Sequence, residues 1–157
     1  MTNSDIAALP VGDLAARNAH LYLWVTNPKI FGPRNREAEV IPVDMMRAWG
    51  FTYVTLLTWR KGGAPGMGFY FRGDTEHCLF GVKGRLPIPA AIRESNHLTA
   101  PRTRHSEKPD RFYEMVERVS PGPYLEMFAR RRRYGWDAWG DEAPTEAASQ
   151  AEMGLGA

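Results

Sequence analysis

The sequence predicts an α/β domain: a sheet carrying helices on both faces. Three observations predict it. Apolar, strand-forming runs recur at residues 20–26, 51–59, 76–82 and 124–129, an amphipathic helical pattern separates the first two, and a second such pattern precedes the last. A helix between two apolar strands is the βαβ arrangement, which implies a parallel sheet buried on both faces.

Residues 6–19 have a mixed helical pattern broken by Pro10 and Gly12, which predicts a short helix or turn followed by a second short helix over 13–18. Leu21, Tyr22, Leu23, Trp24 and Val25 are continuous and rich in strand formers, and Asn27-Pro28 stops the strand. Val40, Ile41, Met45, Met46 and Trp49 fall at helical spacings within 36–49, and Gly50 suits the helix stop. The run 51–59 is β-rich. Residues 60–71 hold four glycines and Pro65, too many breakers for a regular element, so a lid-like loop is expected.

A strand resumes over 76–82 and ends at Lys83-Gly84. Residues 85–104 are polar and interrupted by prolines, a surface excursion with room for a short strand near 91–93. Pro109 suits a first helical turn, and Phe112, Met115, Val116 and Val119 form one apolar stripe. Ser120-Pro121-Gly122-Pro123 ends that helix before the strand at 124–129, and 136–139 reads as an edge element. No internal repeat or linker divides the chain, so residues 1–142 form one domain and 143–157, rich in Ala, Glu, Ser and Gly, a fraying tail.

Composition excludes more than it identifies. A hydrophobic fraction of 43% and a charged fraction of 24% are ordinary for a globular domain. Twenty Lys and Arg against 18 Asp and Glu give a net charge of +2, too weak to mark a nucleic-acid binder. The run Arg130 to Arg133, with Arg93, Arg102, Arg104 and Lys108 upstream, shows that the basic residues are clustered. Cys78 is the one cysteine, so an intrachain disulfide and a cysteine zinc cluster are excluded, which suits a reducing compartment. With neither a signal segment nor a membrane-length apolar run, the expected setting is cytoplasmic, away from membranes.

The most informative block is His105-Ser106-Glu107-Lys108-Pro109-Asp110, a helix, Ser120-Pro121-Gly122, then Tyr124-Leu125-Glu126-Met127-Phe128. In open α/β sheets the ligand crevice lies at the carboxyl ends of the strands, which places Glu126 and Phe128 beside a ligand. In this block the sequence resembles the MT-A70 family of adenine methyltransferases, and more distantly the permuted DNA amino-methyltransferases. The resemblance extends through Leu9-Pro10-Val11, Leu21-Tyr22-Leu23-Trp24-Val25-Thr26-Asn27, Trp49-Gly50-Phe51, Thr58-Trp59-Arg60-Lys61 and the stretches 73–79 and 81–84. It continues through Glu126-Met127-Phe128-Ala129-Arg130 and Gly135-Trp136-Asp137-Ala138-Trp139-Gly140. Each block alone is weak; their shared order and spacing are strong.

The resemblance implies a Rossmann-like methyltransferase sheet that lacks its first strand or strands, and an S-adenosylmethionine cofactor. Lys61 falls where the family places a lysine near the cofactor's carboxylate, which needs a charge-assisted partner. Arg130 and Arg133 match groups for the ribose and carboxylate end, and Asp141 and Glu142 match positions that contact the sugar. The alternative for these is a solvated arginine run and an acidic helix cap. Lys108 either contacts ligand or only sets the helix start, and His105 either contacts substrate or bonds a neighbouring loop. Asn27, at a strand's carboxyl end, is a candidate for the target-base pocket. Tyr70, by stacking, and Arg72, by meeting phosphate, are candidates for handling the target, unless the loop is a plain connection. His77 and Cys78 are expected to pack in or beside the core, as are Trp24, Trp49 and Trp59.

The implied reaction is direct methyl transfer to the N6 amine of adenine, without a covalent enzyme intermediate or a metal, on a base that is single-stranded or flipped out. DNA is the expected polymer, with RNA as the other possibility. The family grips the amine with Asp-Pro-Pro-Trp after an early strand, and that tetrapeptide is absent from these 157 residues. No catalytic residue is therefore assigned. The expectation is that Met1 lies downstream of the motif. The competing reading is a catalytically silent nucleic-acid-binding or partner subunit, a homo- or heterodimer with a methyltransferase homologue.

Overall fold

The computed structural model describes residues 1–32, 40–64, 66–102 and 107–140. Helix α1 (Asn3–Ala7) begins at Thr2, whose hydroxyl accepts from the Asp5 amide while the Asp5 carboxylate accepts from the Thr2 amide. This reciprocal cap satisfies two otherwise unpaired amides of a very short helix. Helix α2 (Val11–Leu14) follows at once, so the two short elements expected over 6–19 start earlier than the pattern suggested. Helix α3 (Pro42–Ala48) opens on Pro42, where the lost amide proton costs nothing, and buries Met45 and Met46. The first part of the helical pattern expected over 36–49 falls within 33–39, outside the described residues.

Strands β1 (Ala19–Val25), β2 (Thr52–Arg60), β3 (Thr75–Lys83) and β4 (His97–Thr99) make one sheet in the order β1-β3-β2-β4. It is mixed, which corrects the parallel sheet inferred from the helix between β1 and β2. Strand β3 runs antiparallel to both neighbours, and only β4 lies parallel to β2. The reason is the glycine-rich connection: Arg60 pairs with Thr75, and the Lys61 amide donates to the Asp74 carbonyl at 2.8 Å. Strands β2 and β3 are thus the arms of a long hairpin, whose arms must be antiparallel. Strand β1 takes β3's far edge, so β1 and β2 point the same way without touching. The expected strand near 91–93 is instead a 3-10 turn at Ala90–Ile92, and the strand lies a few residues later at β4.

Helix α4 (Asp110–Val119) buries Phe112, Tyr113, Met115, Val116 and Val119. Strands β5 (Tyr124–Met127) and β6 (Trp136–Trp139) form a separate parallel pair. Gly140 closes that pair at φ 146°, where an added Cβ would stand 2.8 Å from the Phe128 Cα. Two apolar clusters lie on opposite faces of the large sheet. One joins Trp59, Cys78 and Phe80 to α4, with Tyr22 and Trp24 of β1 packed on it; the other joins Leu79 and Phe51 to α3, with Leu21 and Leu23. Helices therefore cover both faces, as an α/β domain requires. The small sheet shares both clusters, since Tyr124 and Trp136 pack on the first and Met127 on the second. Strand β5 therefore lies in the same layer as β1, although the two are not hydrogen-bonded.

Buried polar groups tie the layers together. Ser120 sits between β1 and α4, its hydroxyl 2.7 Å from His20 Nδ1 and 2.8 Å from the Tyr22 hydroxyl. Burial outweighs that bond and pushes the Tyr22 phenol up to about 12. Trp49 and Trp59 are buried, as expected, and donate to the carbonyls of Ala7 and Ala100. Cys78 is fully buried, and burial raises its thiol well above the ordinary range.

Candidate functional site

Strands β1 and β2 and helix α4 converge where the two strands end and the helix begins. Here Glu76, near the start of β3, holds two lysines at once. Lys61, just after β2, donates from Nζ to Glu76 Oε1 at 2.5 Å, and Lys108, just before α4, donates to Oε2 at 2.7 Å. The three side chains are only 15–20% exposed. Each ammonium also lies over an indole ring, Lys61 over Trp59 at 5.3 Å and Lys108 over Trp24 at 4.8 Å. Burial raises the Glu76 carboxyl, but bonds from Lys108 and Lys61 outweigh it and hold the group below its ordinary value.

Two cations around one anion leave the cluster a net positive charge. Each ammonium has three donors, of which Glu76 takes one among the described residues, which leaves donors on both lysines for a further acceptor. Beside Lys108, the Trp24 indole Nε1 is buried and without a partner among the described residues. An anionic or strongly accepting group fits this surrounding: excess positive charge, spare ammonium donors and an unspent indole donor.

Asn27 lies on the same rim, its side-chain amide donating to Thr75 Oγ1 at 3.2 Å, next to Glu76. An open cleft of about 530 Å³ extends from Lys61 along Gly62, Gly63, Thr99, Ala100 and Arg102, at the carboxyl ends of β2 and β4. That volume is within the range of small-molecule sites. The loop from 61 to 74 carries Met67, Phe69, Tyr70 and Phe71, each at least 83% exposed. A second backbone bond, from the Gly66 amide to the Gly73 carbonyl, pins its base, and Arg72 donates to the Gly66 carbonyl. Tyr70 therefore stands on a looped-out aromatic surface, and Arg72 lies at its foot.

The other predicted residues gather at the end of β5. The Glu126 carboxylate accepts from the Tyr113 hydroxyl at 2.8 Å, so it faces α4. Phe128 is 46% exposed at φ 59° and meets the edge of Trp139. Arg130 is exposed. Arg133 folds back onto α4, pairing with Glu117 at 2.8 Å and Asp110 at 3.2 Å, while Arg131 reaches Asp110 at 2.6 Å. Both guanidiniums lie over the Tyr113 ring. Arg133 thus docks the arginine run on the helix, and Asp110 links that run to the helix start two residues after Lys108. Asp141, Glu142 and His105 lie outside the described residues.

The sequence reading brought out Lys61 and Lys108 but not Glu76, which joins them. The available signal was a carboxylate inside an otherwise apolar strand, one residue from His77. His77 is a strand histidine that exchanges a 3.1 Å hydrogen bond with the Thr58 hydroxyl, and burial lowers its pKa.

Residues 1–142 match the family model described as MT-A70. The chain belongs to the MT-A70 family. It is 30% identical over 143 residues to the type II methyltransferase M.MunI of a Mycoplasma species, covering 89% of this chain and 57% of that protein. It is 30% identical to the human N(6)-adenine-specific methyltransferase METTL4 over 88% of this chain and 31% of the relative. Against the human N(6)-adenosine-methyltransferase catalytic subunit METTL3 the identity is 30% over 70% of this chain and 19% of the relative. The chain spans little more than half of the Mycoplasma protein and about a third or less of the two human ones.

Proposed function

We propose that this chain forms the S-adenosylmethionine-binding part of a methyltransferase acting on the N6 amine of adenine, with DNA as the polymer. The observation that carries the reading is the Lys61–Glu76–Lys108 cluster in a chain matched to the MT-A70 family. The cofactor would supply an electrophilic methyl group on a sulfonium. Lys61 and Lys108 hold its carboxylate through their spare donors, and Glu76 keeps the two ammoniums together. Phe128, Glu126 and Arg130 contribute at the end of β5, and Asp141 and Glu142 are assigned to the ribose.

Tyr70 and Phe71 stack on an unpaired adenine or its neighbour, while Arg72 and Arg102 meet phosphate. No described helix is long and apolar enough to cross a membrane. The relatives named above are methyltransferases, two of them with adenine or adenosine in their names. RNA in place of DNA is separated by the choice of oligonucleotide below.

One observation favours a second reading. The 157 residues contain no Asp-Pro-Pro-Trp, so the grip on the amine has to come from other polypeptide. Without it the chain is a methyltransferase-like subunit that binds nucleic acid or an active homologue. The test is tritium transfer from labelled cofactor to adenine-containing DNA and RNA strands, by this chain alone and extended upstream with the motif. Transfer only by the extended protein supports the first reading. No transfer by either, with cofactor still bound, supports the second.

A further inference from the structure

Strand β4 ends between two recesses. One is the cleft of about 530 Å³ that runs from Lys61 to Arg102; the other, of about 190 Å³, lies between β4 and α4, and Thr99 lines both. The smaller recess falls below the roughly 300–1,000 Å³ of small-molecule sites. Its lining is mostly polar, with Glu94, Ser95, His97, Thr99 and Arg111 around Leu98 and Met115. Size and lining suit one small charged group.

The donors around it come from a strand edge and a helix. Strand β4 bonds β2 through alternate residues, since the Thr58 amide donates to the Asn96 carbonyl and the Ala100 amide to the Arg60 carbonyl. His97 and Thr99 therefore turn their amides to the other edge, and β4 has no neighbour beyond β2 among the described residues. The His97 amide donates to Ser95 Oγ at 3.3 Å, which leaves the Ser95 hydroxyl proton for another acceptor. The Thr99 amide stands at the open edge.

From α4, Arg111 donates to Glu94 at 3.1 Å, and Arg118 donates to the other oxygen of the same carboxylate. One carboxylate is divided between two guanidiniums, so the group keeps a net positive charge. Arg111 is 42% exposed and has donors to spare. Glu114 shares the helix face of Arg111 and Arg118 and offsets part of this charge. Arg93, beside Glu94, and Arg102, at the larger cleft, return the balance to positive.

A guanidinium, a hydroxyl and a backbone amide are the donors with which proteins hold nucleic-acid phosphates. We propose that the recess at Ser95, Thr99 and Arg111 seats one backbone phosphate of the single-stranded polymer whose target base enters the adjoining cleft. Glu94, itself held by Arg118, aims Arg111 at that phosphate. The seat has no base preference. It fixes the register of the strand across β4, so the nucleotide on the Lys61 side of Thr99 is the one presented for reaction. The inference rests on the reading of the larger cleft as the target side of an adenine methyltransferase.

The probe is a short fluorescein-labelled DNA strand with one adenine, bound to the whole 157-residue chain without cofactor and followed by anisotropy over a range of salt. Arg111→Gln should weaken binding about tenfold. It should also lower the slope of log affinity against log salt by about 0.7, the value for one phosphate of a single strand. Arg47→Gln removes an equal charge from α3, on the opposite face of the sheet, and should change neither. Each phosphate is then neutralised in turn as a methylphosphonate. At one position this should weaken wild-type binding about tenfold and leave Arg111→Gln binding unchanged, the non-additivity of two groups in contact.

Arg118 keeps Glu94 paired in Arg111→Gln, so its melting should match wild type. A readout that needs no variant is the Thr99 amide resonance of wild type, which should shift with the charged strand and stay in place with a fully neutral one. An equal loss in Arg47→Gln, neutralisation that costs both proteins the same at every position, an unmoved Thr99 amide, or a wild type that binds no strand overturns the proposal. Cofactor binding is measured separately. Failure of the phosphate seat leaves the cofactor reading standing, and a chain that seats the phosphate yet binds no cofactor leaves the seat standing.

Discussion

Replacing Glu76 by Gln tests the centre of the site, because it removes the one negative charge between Lys61 and Lys108 and preserves shape. Two ammoniums bonded to the two oxygens of one carboxylate are about 5 Å apart, and at an effective dielectric of about 20 their repulsion is about 3 kcal/mol. The lysines are 18–20% exposed, so water screens part of this, and one of them can swing outward. The expected loss of stability is about 2 kcal/mol, below the roughly 3–5 kcal/mol of a fully buried pair. In a domain of this size that lowers Tm by about 4–8 °C.

The pH dependence has a definite sign. The folded Glu76 pKa lies below the ordinary 4.5, so its contribution is complete above the unfolded value and lost as pH falls through the folded one. Urea unfolding of wild type and Glu76→Gln should therefore differ fully at pH 7 and converge on acidification below about pH 4. Adding Lys108→Met to Glu76→Gln should restore much of the loss. A variant as stable as wild type at pH 7, or a difference that persists unchanged at low pH, would refute the electrostatic account.

Four further outcomes follow from the geometry. Ser120→Ala strands His20 Nδ1 and the Tyr22 hydroxyl, while His20 Nε2 keeps its bond to the Leu86 carbonyl, and urea unfolding should show a loss of about 1–3 kcal/mol. Gly140→Ala forces a Cβ against the Phe128 backbone at a φ that side chains avoid, and thermal melting should show at least about 1–3 kcal/mol of destabilisation. Tyr70→Ala and Phe71→Ala alter exposed side chains, so stability should stay within about 0.5 kcal/mol; fluorescence anisotropy should show single-stranded DNA affinity falling by about 1–3 kcal/mol for each stacked base. Cys78 is fully buried with its thiol pushed up, so iodoacetamide should leave it unmodified in the native protein and label it in urea.

Much of the fold was readable because its strands are apolar on both faces and its long helix carries one stripe. Leu21 to Val25, the 51–59 run and Phe112 to Val119 show their element type in their spacing alone. Direction and order were not readable. Nothing in residues 20–26 or 51–59 says that β3 inserts between them; that follows from where the 61–74 connection turns the chain back. Strand β4 was missed for a similar reason, since His97–Thr99 is a strand only through its pairing with β2, and Leu98 is its one buried residue.

The site was half legible. Lysines at strand and helix ends stand out, whereas the partner that joins them sits 15 residues from one and 32 from the other. Arg133, which the resemblance places at the cofactor's ribose and carboxylate end, is engaged by Glu117 and Asp110 of α4, acidic partners that a linear pattern does not connect to it.

The central claim is that the ends of β1, β2 and β5 bind S-adenosylmethionine through Lys61 and Lys108. Calorimetry with S-adenosylhomocysteine on the 157-residue chain and on Lys61→Ala and Lys108→Ala tests it most directly. The account predicts saturable one-to-one binding to wild type and, for each lysine lost, a fall in affinity of about tenfold or more, the measure of a charge-assisted bond worth roughly 1.5–3 kcal/mol. Binding that both alanine variants retain at full strength would contradict it.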